Sequence, residues 1–116
     1  AGTIVVQASR RAGRLMLTEA AADTQRLTVV LDTGSEVSIG NMALKRALTG
    51  KRLLQRNGKI ELVSVTGQKL TGDYTFLREL DIGGVTLSDL AIVFADAHTF
   101  RQMKLDERPA LLLGMN

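Results

Sequence analysis

The residues best suited to chemistry are Asp32, Thr33, Gly34 and Ser35, which supply an acid, a hydroxyl, a glycine and a second hydroxyl in succession. They follow the apolar run 27–31, which predicts a strand buried on both faces. A carboxylate at the end of such a strand is costly unless something compensates for its burial. Gly34 allows a sharp turn, and the small Ser35 keeps the space beside the acid open. The pattern therefore fits acid–base chemistry by Asp32.

A structural interpretation of the same residues stays open at this point. The sequence Asp-Thr-Gly readily forms an Asx-type turn, in which the aspartate side chain bonds to the backbone that follows it. Residues 32–34 alone do not decide between an acid that reacts and an acid that starts a turn.

The composition excludes several other kinds of site. The chain contains no cysteine, so disulfides and thiolate chemistry are excluded. The single histidine, His98, makes a histidine-based metal site or a Ser-His-Asp triad implausible, and we interpret it as a loop residue. A loop that phosphorylates Asp32 would need a second acid two residues later, where Gly34 stands. We expect no metal and no cofactor.

The charge of the chain is moderately basic, with 15 basic and 12 acidic residues and a net charge of +3. A nucleic-acid interface would combine basic clusters with stacking aromatics, but aromatic residues make up 3% of the chain. We therefore interpret the clusters as solvated faces and expect no nucleic-acid partner, although the excess charge favours acidic substrate segments. The clustered residues are Arg10, Arg11, Arg14, Lys45, Arg46, Lys51, Arg52, Arg56 and Lys59.

The elements that would position Asp32 are mostly short strands. A hairpin over 14–31, with turn residues at 23–25, would deliver Asp32 to its bend. The 116 residues suit one domain, residues 1–116, with no apolar run near the roughly 20 residues of a membrane helix. Further strands are predicted over 3–8, 37–39, 59–66, 69–77, 80–82, 90–94 and 110–113, and residues 10–13 are predicted to be a polar link with a turn glycine.

One helix is predicted. Asn41 is a suitable N-cap, residues 42–48 have helical spacing, and Gly50 stands where a C-cap belongs. Residues 96–109 are polar and are predicted to be irregular. Many short strands with one short helix predict an all-β fold, a closed or partly open barrel or a sandwich-like domain.

The hairpin predicted over residues 59–77 has a polar tip at Thr66, Gly67 and Gln68. Leu70, Tyr74 and Phe76 alternate with polar residues, which is typical of a half-buried strand. Such a hairpin could cover a cleft as a mobile lid. An ordinary surface hairpin would have the same sequence pattern.

Two segments together resemble a known family. Val30-Leu31-Asp32-Thr33-Gly34-Ser35 is similar to the apolar-apolar-Asp-Thr-Gly-Ser motif of aspartic proteases, and Leu112-Leu113-Gly114 resembles the apolar-apolar-Gly segment that closes their active-site loop. The segments lie about eighty residues apart in a chain with one Asp-Thr-Gly. This spacing resembles a single-domain retropepsin, of the bacterial or retroelement type, and implies the corresponding barrel fold.

The resemblance implies an aspartic endopeptidase that acts on polypeptides. Two carboxylates about 3 Å apart share one proton, so that one can activate water while the other donates. With one motif per chain, the second acid would be Asp32 of another copy, and a homodimer is expected. The alternative is a retropepsin-like module that dimerises or binds extended peptides without cutting them.

The resemblance also implies roles for residues beside the catalytic acid. Thr33 would hydrogen-bond across the dimer and brace the active-site loops, while Gly34 would admit the substrate backbone and Ser35 would complete the loop. Glu36 would contact substrate or a partner's arginine, with an exposed loop acid as the alternative. Ser38 would make a structural hydrogen bond.

The same resemblance assigns the turn of this hairpin, Thr66, Gly67 and Gln68, to a flap that covers the cleft and excludes water.

The sequence departs from the family pattern near its end. Met115 stands where retroviral enzymes have arginine, so that residue supplies no cation for Glu36. Family members continue with a helix, and retroviral ones with a further strand, after the position of Asn116. We therefore interpret the domain as truncated, leave open whether this fragment is active, and do not assign a compartment; the soluble part of a membrane-anchored or periplasmic protein is one interpretation.

Overall fold

Strands dominate the fold of the computed structural model, which describes residues 9–11, 13–32, 37–51, 55–63, 67 and 69–114. The strands are β1 (Ser9–Arg11), β2 (Arg14–Ala22), β3 (Gln25–Asp32), β4 (Ser38–Gly40), β5 (Gln55–Val63), β6 (Lys69–Ile82), β7 (Val85–Phe94) and β8 (Ala110–Gly114). The helices are α1 (Met42–Gly50) and α2 (His98–Gln102).

The sheet closes on itself as a barrel. Its strand order is β1-β2-β3-β8-β4-β7-β6-β5, and an additional pairing of β2 with β6 closes six of these strands into a ring. Strands β1 and β5 lie outside the ring, on the far sides of β2 and β6. Closure removes the open edges that a flat sheet would expose. The predicted all-β barrel is confirmed.

The β2–β3 hairpin forms because two apolar strands flank a turn with suitable residues. Asp23 occupies the left-handed region with φ of 52°, which aspartate tolerates better than most residues. Its N–H donates to the carbonyl of Glu79 at 3.0 Å, so the turn is also tied to β6. The predicted hairpin over 14–31 is confirmed, with strands one to two residues longer than expected.

Apolar residues of the barrel form two buried clusters. The larger one fills the barrel and receives Leu44 and Leu48 from α1. The smaller one joins Met16 and Val30 on one side to Phe100 and Met103 on the other. Helix α2 and the residues after it therefore cover part of the barrel wall.

The prediction that residues 96–109 are irregular was wrong for α2. Phe100, Met103 and Leu105 are all buried, and their apolar contacts hold this segment against the barrel. Periodicity does not reveal a helix of five residues, because so short a helix gives one or two apolar positions. His98, predicted to be a loop residue, is the exposed first residue of this helix.

Three further predictions about the elements need comment. Arg10 and Arg11 lie in β1 and not in a link, because they pair with β2 at Leu15 and Arg14. Gly50 is the last helical residue and not the C-cap; Lys51 takes that position and donates to the carbonyl of Ala47 at 3.2 Å. The strand predicted over 3–8 lies outside the described residues.

Asn41 is the predicted N-cap of α1, and it does more than cap the helix. Its Oδ1 accepts from the N–H of Leu44 at 2.8 Å and from the N–H of Ala110 at 3.1 Å. Its Nδ2 donates to the carbonyls of Leu105 at 2.8 Å and Arg108 at 2.6 Å. This buried amide thus joins α1 to the start of β8 and to the segment before it.

Candidate active site

The candidate site lies where β3 and β8 end and β4 begins, side by side in the sheet. Strand β3 runs parallel to β8, and the last pair in their register is Asp32 with Gly114. Strand β8 in turn pairs with β4 in the antiparallel sense. Since β8 lies between β3 and β4, the chain from Asp32 to Ser38 connects two strands that are not neighbours in the sheet. The Asp-Thr-Gly-Ser sequence begins at the last residue of β3, and residues 33–36 lie outside the described part of the chain.

Ser38 ties the two sides of this connection together. Its Oγ accepts a hydrogen bond from the N–H of Gly114 at 3.1 Å, and the serine is buried. Gly114 is also the partner of Asp32 in the sheet. The structural hydrogen bond expected for Ser38 is confirmed, and it fixes β4 to the strand beside the acid.

Asp32 is half-buried and has a basic neighbour. Its Oδ1 lies 3.3 Å from Nη1 of Arg14, and their side chains are 21% and 35% exposed. Counted from the turn of this hairpin, a register shift between Ala20 and Leu17 comes before the pairing of Met16 with Val30. Continued for two residues, that pairing puts Arg14 opposite Asp32. The ion pair is therefore a cross-strand contact between β2 and β3.

Sequence reasoning missed Arg14, which it assigned to a solvated basic face. The register shift hid the contact. The two-residue turn pairs Ala22 with Gln25, and a regular continuation of that pairing along the hairpin would place Arg14 opposite residue 33 instead of Asp32. A β-bulge changes which residues face each other, and the side-chain pattern of these strands does not mark its position.

Several residues of the predicted site lie outside the described part of the chain. They are Thr33, Gly34, Ser35 and Glu36 in the active-site connection, Thr66 and Gln68 in the hairpin turn, and Met115. The structure describes Asp32, Ser38 and Gly114, and Gly67 from the hairpin. Asp32 and Ser38 both lie beside Gly114, Asp32 through the β3–β8 register and Ser38 through its hydrogen bond.

The hairpin of β5 and β6 extends past the rest of the sheet. Strand β6 pairs with β7 only from Asp73 onward, whereas its pairing with β5 continues to Lys69, which is opposite Val63. Gly67 has φ of 86° and is exposed, with open space around its Cα. Residues 60–63 and 69–72, which we call the hairpin tip, are thus paired with each other and not with β7. The predicted hairpin is confirmed, with β5 beginning at Gln55, and residues 64–66 of the strand predicted over 59–66 lie outside the described residues.

A cluster of three charged residues lies at the base of the hairpin tip. Asp73 forms ion pairs with Lys45 of α1 and with Lys59 of β5, the latter at 2.9 Å. Hydrogen bonds from Lys45 and from Lys59 hold the pKa of Asp73 below its ordinary value. We call these residues the Asp73 cluster. Lys45 was predicted to lie on a solvated face, and it differs because its ammonium group is paired and half-buried.

Among the residues that the structure describes, no three acidic or histidine side chains are arranged to bind a metal ion. Neither of the helices in this part of the chain has the length and apolar character that spanning a bilayer requires.

The closed barrel of six strands fits an all-β retropepsin-like fold. A model of the aspartyl protease family matches residues 17–116, and the chain belongs to that family. Members of this family act on polypeptides. A comparison with curated proteins found no match to this chain.

Proposed function

We propose that two copies of this chain form one endopeptidase site, in which Asp32 of each copy supplies one half of a catalytic dyad. The observation that carries the proposal is the position of Asp32, which ends β3 beside Gly114 in a chain of the aspartyl protease family. The sequence contains one Asp-Thr-Gly, and a second copy of the chain would supply an equivalent acid.

The proposed chemistry follows from two carboxylates at short distance. Because both cannot ionise comfortably, the dyad holds one proton between them and titrates as a unit. The ionised carboxylate removes a proton from a water molecule, which attacks the peptide carbonyl carbon. The protonated carboxyl group donates to the developing oxyanion, and a proton then passes to the leaving nitrogen as the C–N bond breaks.

The surroundings of Asp32 support a fixed position for the acid. Strand β8 pairs with β3 along its whole length, and Ser38 binds the backbone of Gly114 from the other side. Catalytic groups act best when the elements that carry them cannot move. We assign Thr33, Gly34 and Ser35 to support of the active-site connection, and Glu36 to contact with the substrate.

The hairpin tip is the proposed cover of the cleft. Its two strands pair with each other and not with β7, Val63 and Gly67 are exposed, and Gly67 imposes little steric restriction. An extended peptide held below it would be shielded from water during the reaction. Thr66, Gly67 and Gln68 are the proposed substrate-facing residues.

The test is a substitution that removes the acid and keeps its shape. Asp32→Asn should abolish cleavage of unstructured polypeptides while circular dichroism and sedimentation remain those of the unchanged chain. Asp96→Asn is the matched control, because Asp96 is an exposed acid paired with Arg101 elsewhere on the barrel, and it should leave cleavage unchanged. Cleavage retained by Asp32→Asn contradicts the proposal.

A non-catalytic peptide-binding or dimerisation module is the competing function. It predicts that the unchanged chain dimerises or binds extended peptides and cleaves none of them at any pH. Titration calorimetry with the same peptides, combined with mass spectrometry of the recovered peptide, separates the two functions.

A further inference from the structure

The hairpin tip meets the rest of the barrel at one narrow place. Pairing between β6 and β7 begins with Asp73 opposite Phe94, and the residues of β6 before Asp73 have β5 as their strand partner. A two-stranded segment alone is marginally stable, so its position depends on contacts at its base. The residues at this junction therefore decide where the tip lies.

Gly72 lies where β6 separates from β7, and its lack of a side chain allows the two backbones to pack closely there. A Cβ placed on Gly72 would lie 2.6 Å from the carbonyl oxygen of Phe94 and 3.0 Å from Cγ1 of Val93. The first contact is with backbone, which cannot move aside at low cost. The junction between the tip and β7 thus has no spare room, and a shift of the tip requires rearrangement at this point.

The Asp73 cluster joins three elements at the same junction. Asp73 is on the face of β6 that also carries the fully buried Thr75, so its carboxylate lies at the inner side of the sheet. One of its oxygens pairs with Lys45, which belongs to α1, and the other pairs with Lys59 of β5. The exposed fractions are 26% for Asp73, 30% for Lys45 and 80% for Lys59.

The two lysines have different structural consequences. Lys59 is opposite Asp73 in the β5–β6 register, so that contact stays within the hairpin. Lys45 belongs to a helix whose Leu44 and Leu48 are in the barrel core. The Lys45 contact is therefore the one that connects the hairpin to a firmly packed element.

We propose that Asp73 is a positioning residue, which holds the hairpin tip over the cleft through Lys45 of α1. Its role in substrate binding rests on the proposed function, whereas its effect on the hairpin does not. Loss of the Lys45 contact leaves the tip attached by β5–β6 pairing and by the packing of Gly72 against β7, and the tip then samples open positions more often.

Hydrogen exchange of the chain without substrate tests the mechanical part. In Asp73→Asn, amides of residues 61–63 and 69–71 should exchange roughly fivefold faster, while amides of β8 keep their rates. Lys45→Met should have the same effect, because it removes the link to α1. Lys59→Met should change these rates by less than about twofold, since it removes a contact inside the hairpin. Asp96→Asn is the control for a lost ion pair elsewhere.

A structural role alone predicts a different result. If Asp73 only supported general stability, exchange would rise in β8 and in the hairpin tip together, and Lys45→Met and Lys59→Met would not differ. Either result overturns the proposal, as does unchanged exchange of the tip in Asp73→Asn.

Kinetics on a cleaved polypeptide test the functional part. Asp73→Asn should raise KM roughly fivefold with kcat changed by less than about twofold, because the cover binds substrate and the acids carry out the chemistry. Lys45→Met should raise KM equally. An unchanged KM alongside faster tip exchange overturns the role in substrate binding. A chain that cleaves nothing contradicts the proposed function, while the exchange experiment still decides the role of Asp73 in the hairpin.

Discussion

The two regions of the molecule that the proposed reaction would use are built in opposite ways. Asp32 ends a strand that has a neighbour on each side, and the adjacent β8 is buried from Ala110 to Leu113. The hairpin tip has no such neighbours, and Val63 within it is 62% exposed. The acid is held by the core, whereas the tip depends on its own pairing, on the packing of Gly72 against β7 and on the Asp73 cluster.

This difference fits the roles proposed for the two parts. A carboxylate that must meet a second carboxylate requires a fixed position, which packing supplies. A cover that must admit a polypeptide and then close requires a low energy of opening, which few contacts supply. The same barrel provides both because β6 is long enough to be central at one end and paired only with β5 at the other.

The largest expected difference between the two regions is in the response to a lost side chain. Leu111→Ala should lower the free energy of unfolding by about 3 kcal/mol or more, because Leu111 is fully buried between β3 and β4. Val63→Ala, the matched control at the hairpin tip, should change it by less than about 0.5 kcal/mol. Urea denaturation measures both values, and equal losses would contradict the comparison.

Next in size is the effect of removing the buried amide of Asn41. Asn41→Ala should cost about 2 kcal/mol or more, since it removes the acceptor of two backbone N–H groups and the donor to the carbonyl of Arg108. The carbonyl of Leu105 also loses its bond from Asn41 but keeps one from the N–H of Arg108 at 3.3 Å. Thermal denaturation of this variant beside the exposed Gln102→Ala measures the loss. Stability equal to that of the control would show that Asn41 does not hold β8 in place.

A smaller loss of folding stability is expected when the hydrogen bond between Ser38 and Gly114 is removed. Ser38→Ala should cost about 1 kcal/mol, because the N–H of Gly114 loses its acceptor. If this bond also positions Asp32, kcat should fall in the variant with KM unchanged. A stability loss with full kcat would limit Ser38 to a structural role.

The smallest effect concerns pH at the hairpin. The charged groups that face Asp73 are Lys45 from α1 and Lys59 from β5, while Phe94 of β7 is opposite it and uncharged. The pKa of Asp73 is lower in the folded chain than in the unfolded chain. Its ion pairs therefore contribute their full stabilisation of the folded chain at pH values above the pKa of the unfolded chain. That contribution is lost as pH falls through the lowered folded value.

An NMR titration of the Asp73 carboxyl group checks this sign. The midpoint should lie below the ordinary value for aspartate and should rise in Lys45→Met. A midpoint that is ordinary in both proteins would show that the ion pair does not form in solution.

Much of the fold could be predicted because its strands have strong local signals. The apolar runs ending at Asp32 and at Gly114 identify buried strands, and Asn41 identifies the start of α1. Helix α2 could not be predicted, since it is stabilised by the burial of Phe100 and not by its own periodicity. Tertiary contacts decide the structure of short segments.

The candidate site divides in the same way. Asp32 and Ser38 could be identified because they lie in or near a contiguous motif. The contacts of Arg14 and Asp73 could not, because one depends on a register shift within β2 and the other on the packing of α1 against the barrel. Side chains that meet through long-range packing leave no fixed spacing in the sequence.

The most direct test of the shared site is activity in mixtures of the unchanged chain with Asp32→Asn. The two proteins are unfolded together and refolded at constant total concentration, so that their copies pair at random. If each site needs Asp32 from both copies, an equal mixture should retain about one quarter of the activity. If each chain carries a complete site, the same mixture retains about one half, and the account of a dyad formed by two copies is contradicted.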